Sequence, residues 1–221
     1  LDPLASGVLP IALGEATKLA GRMLDAPKAY DFTIRFGEET DTLDAEGEVI
    51  ARSDVRPTGE QVEAVLPRFT GPIEQVPPAY SALKVDGRRA YDLARAGEEV
   101  ALKSRRITIH QLLPLGRDVE RSSTEGSVTP PSELRAATSR KGEELSEVTL
   151  SATVSKGTYI RSLARDIAHA LGTVGHVTML RRTKAGPFTL GQAISLDFLE
   201  EAAKARRLDG AVLPLVAGLD D

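Results

Sequence analysis

The sequence predicts an α+β fold, and three observations carry that prediction. Residues Tyr30–Phe36, Ile107–Leu113 and Val148–Val154 alternate apolar and polar side chains with a period of two, the mark of strands with one buried face. Thr58–Phe69 and Ile160–Leu171 instead carry apolar stripes at helical spacing. With 221 residues, 41% of them hydrophobic and 27% charged, the chain has enough apolar material for one sizeable core.

Taken in order, the chain opens on Leu1-Asp2-Pro3-Leu4-Ala5-Ser6-Gly7-Val8-Leu9-Pro10, one acid in a run of apolar and small residues. A carboxylate among Leu1, Leu4, Val8 and Leu9 is costly unless paired. On residue types alone Asp2 reads as a helix or turn cap ahead of Pro3. The chain starts on Leu, not Met, and reads as a fragment whose natural N-terminus is missing. Ala16, Leu19, Ala20 and Met23 predict a helix over 14–24 that Pro27 ends. In the strand that follows, Tyr30, Phe32, Ile34 and Phe36 share the apolar face, so Tyr30 reads as a core aromatic with its hydroxyl toward water.

Between Glu38 and Glu48 stand six acids and no base. Their spacing does not fit a calcium loop, and the stretch reads as a solvated hairpin leading to a strand near Val49, turned away from any nucleic acid. Thr58 and Gln61 form a capping box, and Val62, Val65, Leu66 and Phe69 form the stripe of the next helix. Two prolines hold 76–84 extended, Asp86-Gly87 signals a turn, and 89–95 can form a short helix. Residues 76–106 hold seven bases against four acids, with Tyr80 and Tyr91 among them. That is the composition of a nucleic-acid arm and equally of an ordinary solvated face.

The stretch 117–146 is polar, with two adjacent prolines, and reads as a flexible insertion between two neighbouring strands. Lys156-Gly157 marks a strand-to-helix junction where backbone can approach a ligand. Lys156, Arg161 and Arg165 meet no acid before Asp166, which suggests a nearby anion; pairing of Arg161 with an internal carboxylate is the alternative, and the two are compatible. Arg161 and Arg165 fall off the helical stripe. Residues 175–184 form a strand ending in a basic cluster, and a last helix starts near Ser195. The three histidines show no metal-ligand spacing. There is no cysteine, hence no disulfide and no thiol nucleophile. The uncharged runs, Pro3–Gly14 among them, are too short to span a bilayer, and cytoplasmic residence is the default.

These patterns do not specify a reaction. The opening run, however, closely resembles the catalytic-aspartate motif of the bacterial tRNA pseudouridine-55 synthases, the TruB family. Lys28-Ala29-Tyr30, Gly37 with Thr40-Asp41-Thr42, Gln75 through Lys84, Ser155 through Arg161, and Leu180-Arg181-Arg182 resemble further blocks of that family, in its order. The resemblance implies a pseudouridine-synthase fold: a mixed, mostly antiparallel central sheet flanked by helices, with a thumb-like RNA-binding insertion at 76–100. It implies a catalytic domain over 1–184 and a small C-terminal segment over 185–221. The longer C-terminal RNA-binding domain of some relatives is not identifiable in it, which disfavours the RNA-guided archaeal and eukaryotic branch as an expectation. It further implies isomerisation of a T-loop uridine of tRNA to its C-glycoside, without cofactor or metal. Asp2 would be the catalytic carboxylate and Arg161 its partner. Tyr30 would lie against the flipped base, and Tyr159 and Leu180 would line the pocket. Lys84, Arg88, Arg89 and Lys156 would face the RNA. The expected partner is the tRNA T-arm, bound by a monomer that needs no protein partner and no membrane. A second reading is an RNA-binding or RNA-folding protein of the same family, or an inactive fragment of it, in which the chemistry is lost.

Overall fold

The computed structural model describes residues 4–85, 87–98, 100, 102–115 and 142–218. The insertion expected at 117–146 lies outside these residues up to position 141. Its flanks obey the prediction: the strands on either side pair with one another, antiparallel.

In chain order the elements are β1 (Ala5–Gly7), α1 (Ala20–Asp25), β2 (Lys28–Phe36), β3 (Glu38–Thr40), β4 (Val49–Arg52), α2 (Gly59–Val65), β5 (Gly71–Gln75), β6 (Lys84–Val85), β7 (Arg88–Arg89), α3 (Ala90–Arg95), β8 (Arg105–Pro114), β9 (Glu147–Val154), α4 (Ile160–Ala170), β10 (Gly175–Ala185), β11 (Phe188–Thr189) and α5 (Leu196–Lys204). The main sheet runs β1-β10-β2-β9-β8-β5, with β11 added on β10. The pair β1–β10 is parallel and the other pairs are antiparallel, so the sheet is mixed and mostly antiparallel.

The period-two pattern of β2 does what it predicts. Phe32, Ile34 and Phe36 are fully or almost fully buried, and Arg35 points to solvent. They join Leu150, Ala152 and Val154 of β9 and Ile107, Ile109 and Leu112 of β8 in one core, capped by Leu163, Ala164 and Ile167 of α4 and by Val62, Val65 and Leu66. Packing of this stripe, not intrinsic propensity, supplies most of what holds α4 in place. The Thr58–Gln61 capping box forms as its spacing predicts, and the helix it starts ends in a tighter 3-10 turn at Leu66–Phe69. The helix expected over 14–24 is a 3-10 turn (Gly14–Leu19) followed by the short α1, and neither buries a side chain. Two of its four apolar positions are alanines, too small to reach a core.

The arm at 76–100 is a two-stranded hairpin, β6–β7, leading directly into α3. It is tied to the segment before it by Ala90 N–H to Leu83 C=O (2.7 Å) and Tyr91 N–H to Ser81 C=O (3.1 Å). No helix among the described residues is long and apolar enough to cross a membrane.

Candidate active site

The first turn of α4 organises the site. Arg161, expected off the apolar stripe, is 6% exposed. The stripe argument fails here because two other segments cover the remaining side of this turn. One is the loop of the β3–β4 hairpin; the other is the extended stretch 76–81. Both supply partners. Arg161 Nη1 donates to Thr42 C=O (2.8 Å) and to Asp44 Oδ2 (3.1 Å), and Nη2 donates to Tyr80 C=O (3.0 Å).

Asp44 corrects the reading of the acidic hairpin as merely solvated. It is 3% exposed, and both members of the pair with Arg161 are out of water. A buried carboxylate persists when its charge is paired and its lone pairs are used. Here Oδ1 accepts from Thr42 Oγ1 (2.7 Å) and from Glu46 N–H (3.0 Å) while Oδ2 faces Arg161. The bond to the N–H two residues on is an Asx turn, and Asp44 within a Gly-containing acidic loop was the one local signal for it. Leu43 beside it has φ of 63° and is buried. The same loop reaches Tyr80: a hydrogen bond to Asp41, then burial and the Asp41 charge, hold the Tyr80 phenol above its ordinary range.

A second latch fixes the opening run. Ala5, Ser6 and Gly7 of β1 pair with Leu180, Arg181 and Arg182 of β10. Val8 N–H donates to Arg182 C=O (2.8 Å), and Arg182 Nε donates back to Val8 C=O (2.7 Å). Gly7 sits at φ 93°, and a Cβ there would stand 2.2 Å from the Arg182 carbonyl oxygen. Only glycine permits that approach. Leu4 and Ala5 pack on the main core, as does Tyr30.

The expected site residues separate into two groups. Arg161 and Tyr159 stand at the start of α4. Leu180 is buried on β10 opposite Phe32 of β2, and Tyr30, two residues earlier on β2, is half-buried opposite Arg182. Leu180 and Tyr30 thus share a sheet face with the core that α4 covers. Asp2 lies outside the described residues. The expected RNA contacts lie elsewhere, on the surface. Lys84, Arg88 and Arg89 are exposed on the β6–β7 hairpin, where Arg88 pairs with Glu98 (2.9 Å). Arg89 and Arg95 both lie over the Tyr91 ring, at 5.7 and 5.6 Å.

Lys156 is exposed at the strand-to-helix junction, but it is not without an acid: Asp25, 131 positions away, pairs with it at 2.5 Å. The hydrogen bond and charge of Lys156 lower the Asp25 pKa. Nearby, Lys28 Nζ donates to the carbonyls of Met23 (2.8 Å), Leu24 (2.7 Å) and Ala26 (2.7 Å), which ties the end of α1 to the start of β2. Burial first, and then Arg182, lower the Lys28 pKa. Sequence proximity could not reveal these long-range pairs. The buried His176 has its Nδ1 2.8 Å from Glu38 C=O, and the exposed His169 has its Nε2 2.6 Å from Glu39.

The chain is similar to known proteins along its length. Residues 1–160 match the model of the TruB family pseudouridylate synthase N-terminal domain, and 161–220 that of the tRNA pseudouridylate synthase B C-terminal domain. The chain is 59% identical to a protein of Novosphingobium aromaticivorans named tRNA pseudouridine synthase B, covering 100% of this chain and 66% of that protein. It is 56% identical to the protein of the same name from Zymomonas mobilis, covering 100% of this chain and 64% of that one. It therefore spans just under two thirds of the length of these relatives. Among solved structures, the crystal structure of a Cbf5-Nop10-Gar1 complex matches 99% of this chain and 50% of that chain, with 27% identity and a TM-score of 0.64. A structure of an H/ACA RNP bound to a substrate RNA containing 2'-deoxyuridine shares the fold, at 24% identity and a TM-score of 0.58 over 99% of this chain and 47% of that one.

Proposed function

The chain belongs to the TruB family of pseudouridylate synthases, and from that premise we propose that it converts a uridine in the T-loop of tRNA, position 55, to pseudouridine. Asp2 is the catalytic carboxylate in this reading. It acts on the target nucleotide while the base is detached, rotated and rejoined through carbon 5. No cofactor takes part. The observation that carries the reading is the latch of the opening run onto β10: Leu4, two residues after Asp2, and Tyr30 pack on the core that holds Leu180. That neighbourhood offers one aromatic ring and an apolar wall beside the strand that follows Asp2 in sequence.

Arg161 is the partner proposed for Asp2. An Arg⁺ beside a desolvated carboxylate keeps it ionised and oriented. Arg161 is suited to this because Asp44, Thr42 and Tyr80 fix its guanidinium in a single pose. Tyr30 stacks on the flipped base, and Tyr159 and Leu180 close the pocket around it. Flipping costs a few kcal/mol, least for a base in a loop, which suits a T-loop substrate. The β6–β7 hairpin with α3 is the thumb, presenting Lys84, Arg88 and Arg89 to phosphates, and Lys156 adds a fourth cation. The partner is the tRNA T-arm, met by a cytoplasmic monomer without protein subunits. Relatives at 59% and 56% identity carry the tRNA name, against 27% for the Cbf5 complex, which favours the stand-alone branch over the RNA-guided one.

The test is release of tritium from tRNA transcripts labelled at carbon 5 of uridine. The reading expects one equivalent released per tRNA, and none when the T-loop uridine is replaced by cytidine. Release that is indifferent to that replacement overturns the T-loop assignment.

A further inference from the structure

Gln75 is a buried polar residue that the mechanism does not use. It ends β5, at the edge of the sheet, and is 1% exposed. Its side-chain amide meets the main chain of one residue twice. Tyr159 N–H donates to Gln75 Oε1 at 2.9 Å, and Gln75 Nε2 donates to Tyr159 C=O at 3.2 Å. The amide so acts as one more strand residue, closing a two-bond bridge against the N-cap of α4. Tyr159 offers no side-chain cap of its own, and its carbonyl also accepts the first helical bond, from Leu163 N–H at 3.0 Å.

Two more bonds run in series with this clamp. Arg165 Nη2 donates to Val76 C=O (3.3 Å), and Arg161 Nη2 donates to Tyr80 C=O (3.0 Å). Pro77 and Pro78 are both buried between them. Strand β5 therefore passes into the thumb along the first turns of α4, and Gln75 is the fixed end of that seam. A shorter or apolar side chain takes from the part-buried Tyr159 N–H its partner and leaves its C=O with Leu163 N–H alone, and the main chain moves to recover what is lost.

We propose that Gln75 is a positioning residue of the active site, holding the Tyr159 backbone so that the Tyr159 ring and the Arg161 guanidinium stand in register with the bound uridine. It touches no substrate and acts through Tyr159. The inference rests on the pseudouridine-synthase reading for its kinetic consequence and on geometry alone for its structural one.

The experiment uses the full-length protein with Gln75→Met and Gln75→Glu. Met keeps the length and volume and loses both bonds. Glu keeps the bond from Tyr159 N–H and loses the donor to the carbonyl. Misplacement of a pocket by about 1 Å costs up to about a hundredfold in rate. At saturating tRNA the expected kcat falls at least tenfold in Gln75→Met and less in Gln75→Glu, with KM for tRNA within twofold of the parent. Unchanged kcat in either folded variant overturns the proposal. So does a raised KM at unchanged kcat, which would make Gln75 an RNA contact.

The near-ultraviolet circular dichroism is an arm independent of activity, since the chain has four Tyr, five Phe and no Trp. Each variant is expected to lose tyrosine signal in the parent but not in a Tyr159→Leu background. An equal loss in both backgrounds overturns the Gln75–Tyr159 link. If the parent protein releases no tritium, the functional reading fails while this arm still decides the link.

Discussion

Replacing Asp44 by Ala removes the carboxylate that holds Arg161 from the side of the acidic hairpin. The two charges stand 3.1 Å apart and their side chains are 5–7% exposed. At an effective dielectric of about 20 the gross attraction is about 5 kcal/mol, from which desolvation of both groups subtracts. Removing Asp44 takes one carboxylate from a buried guanidinium that keeps Thr42 C=O, Tyr80 C=O and, in the proposed site, Asp2, so the loss falls below the roughly 3–5 kcal/mol typical of breaking a buried pair outright, at about 2 kcal/mol. The bonds from Thr42 Oγ1 and Glu46 N–H are lost as well, each worth about 1 kcal/mol. The expected cost of Asp44→Ala is therefore about 4 kcal/mol. For a chain of this size that lowers Tm by roughly 10 °C. Urea unfolding followed by far-ultraviolet circular dichroism measures it. Asp44→Asn, which keeps the shape and one acceptor, is expected to cost about half as much. A double-mutant cycle with Arg161→Met isolates the pair, and its expected coupling exceeds about 1.5 kcal/mol. A cost for Asp44→Ala below about 1 kcal/mol, with no coupling, would refute the account of the buried pair.

Asp25→Asn releases Lys156 for phosphate: T-arm binding is expected to tighten, and the slope of log K against log salt to steepen by about one unit, read by filter binding across salt concentrations. Asp25 has a lowered pKa, so the parent pair is present above pH 3.8 and is lost only as pH falls through the lower folded value. Lys156 amide shifts followed by NMR through that range are expected to move in the parent and not in Asp25→Asn. Replacing Arg88 and Arg89 together by Ala should weaken binding and flatten its salt slope, with Arg88 alone doing less because Glu98 already neutralises it; an unchanged slope counts against the thumb as an RNA clamp. Tyr80 is expected to titrate above pH 10 in phenolate absorbance at 295 nm. Its neutral form is the one the fold favours, so the contribution is full below pH 10 and is lost as pH rises through the folded value. Asp41→Asn should move Tyr80 back toward the ordinary range, with the part due to burial remaining.

What was legible in the sequence was what is periodic or local. Phe32, Ile34 and Phe36 announce a strand face, Thr58 and Gln61 a helix start, and Leu163, Ala164 and Ile167 a helix stripe, because each depends on spacing within a few residues. The candidate site was legible through its motif blocks and not through pattern. Asp44 looked like one solvated acid among six, since nothing nearby says that a helix 117 positions away will bring an arginine to it. The same distance hid Asp25 from Lys156, and Gln75 from Tyr159. Burial of Arg161 was misjudged because a helical stripe describes only the face toward the sheet. The hairpin loop and the Tyr80 segment close the other side, and both belong to the tertiary fold.

The central claim is that Asp2 does chemistry on the bound uridine. Its most direct test is Asp2→Asn in the full-length protein, assayed by tritium release from a T-arm transcript labelled at carbon 5 of uridine, with affinity measured on the same RNA. The account predicts that release is abolished while binding stays within about tenfold, because the change removes a reacting charge and no phosphate contact. Sustained release from the Asp2→Asn protein would contradict it.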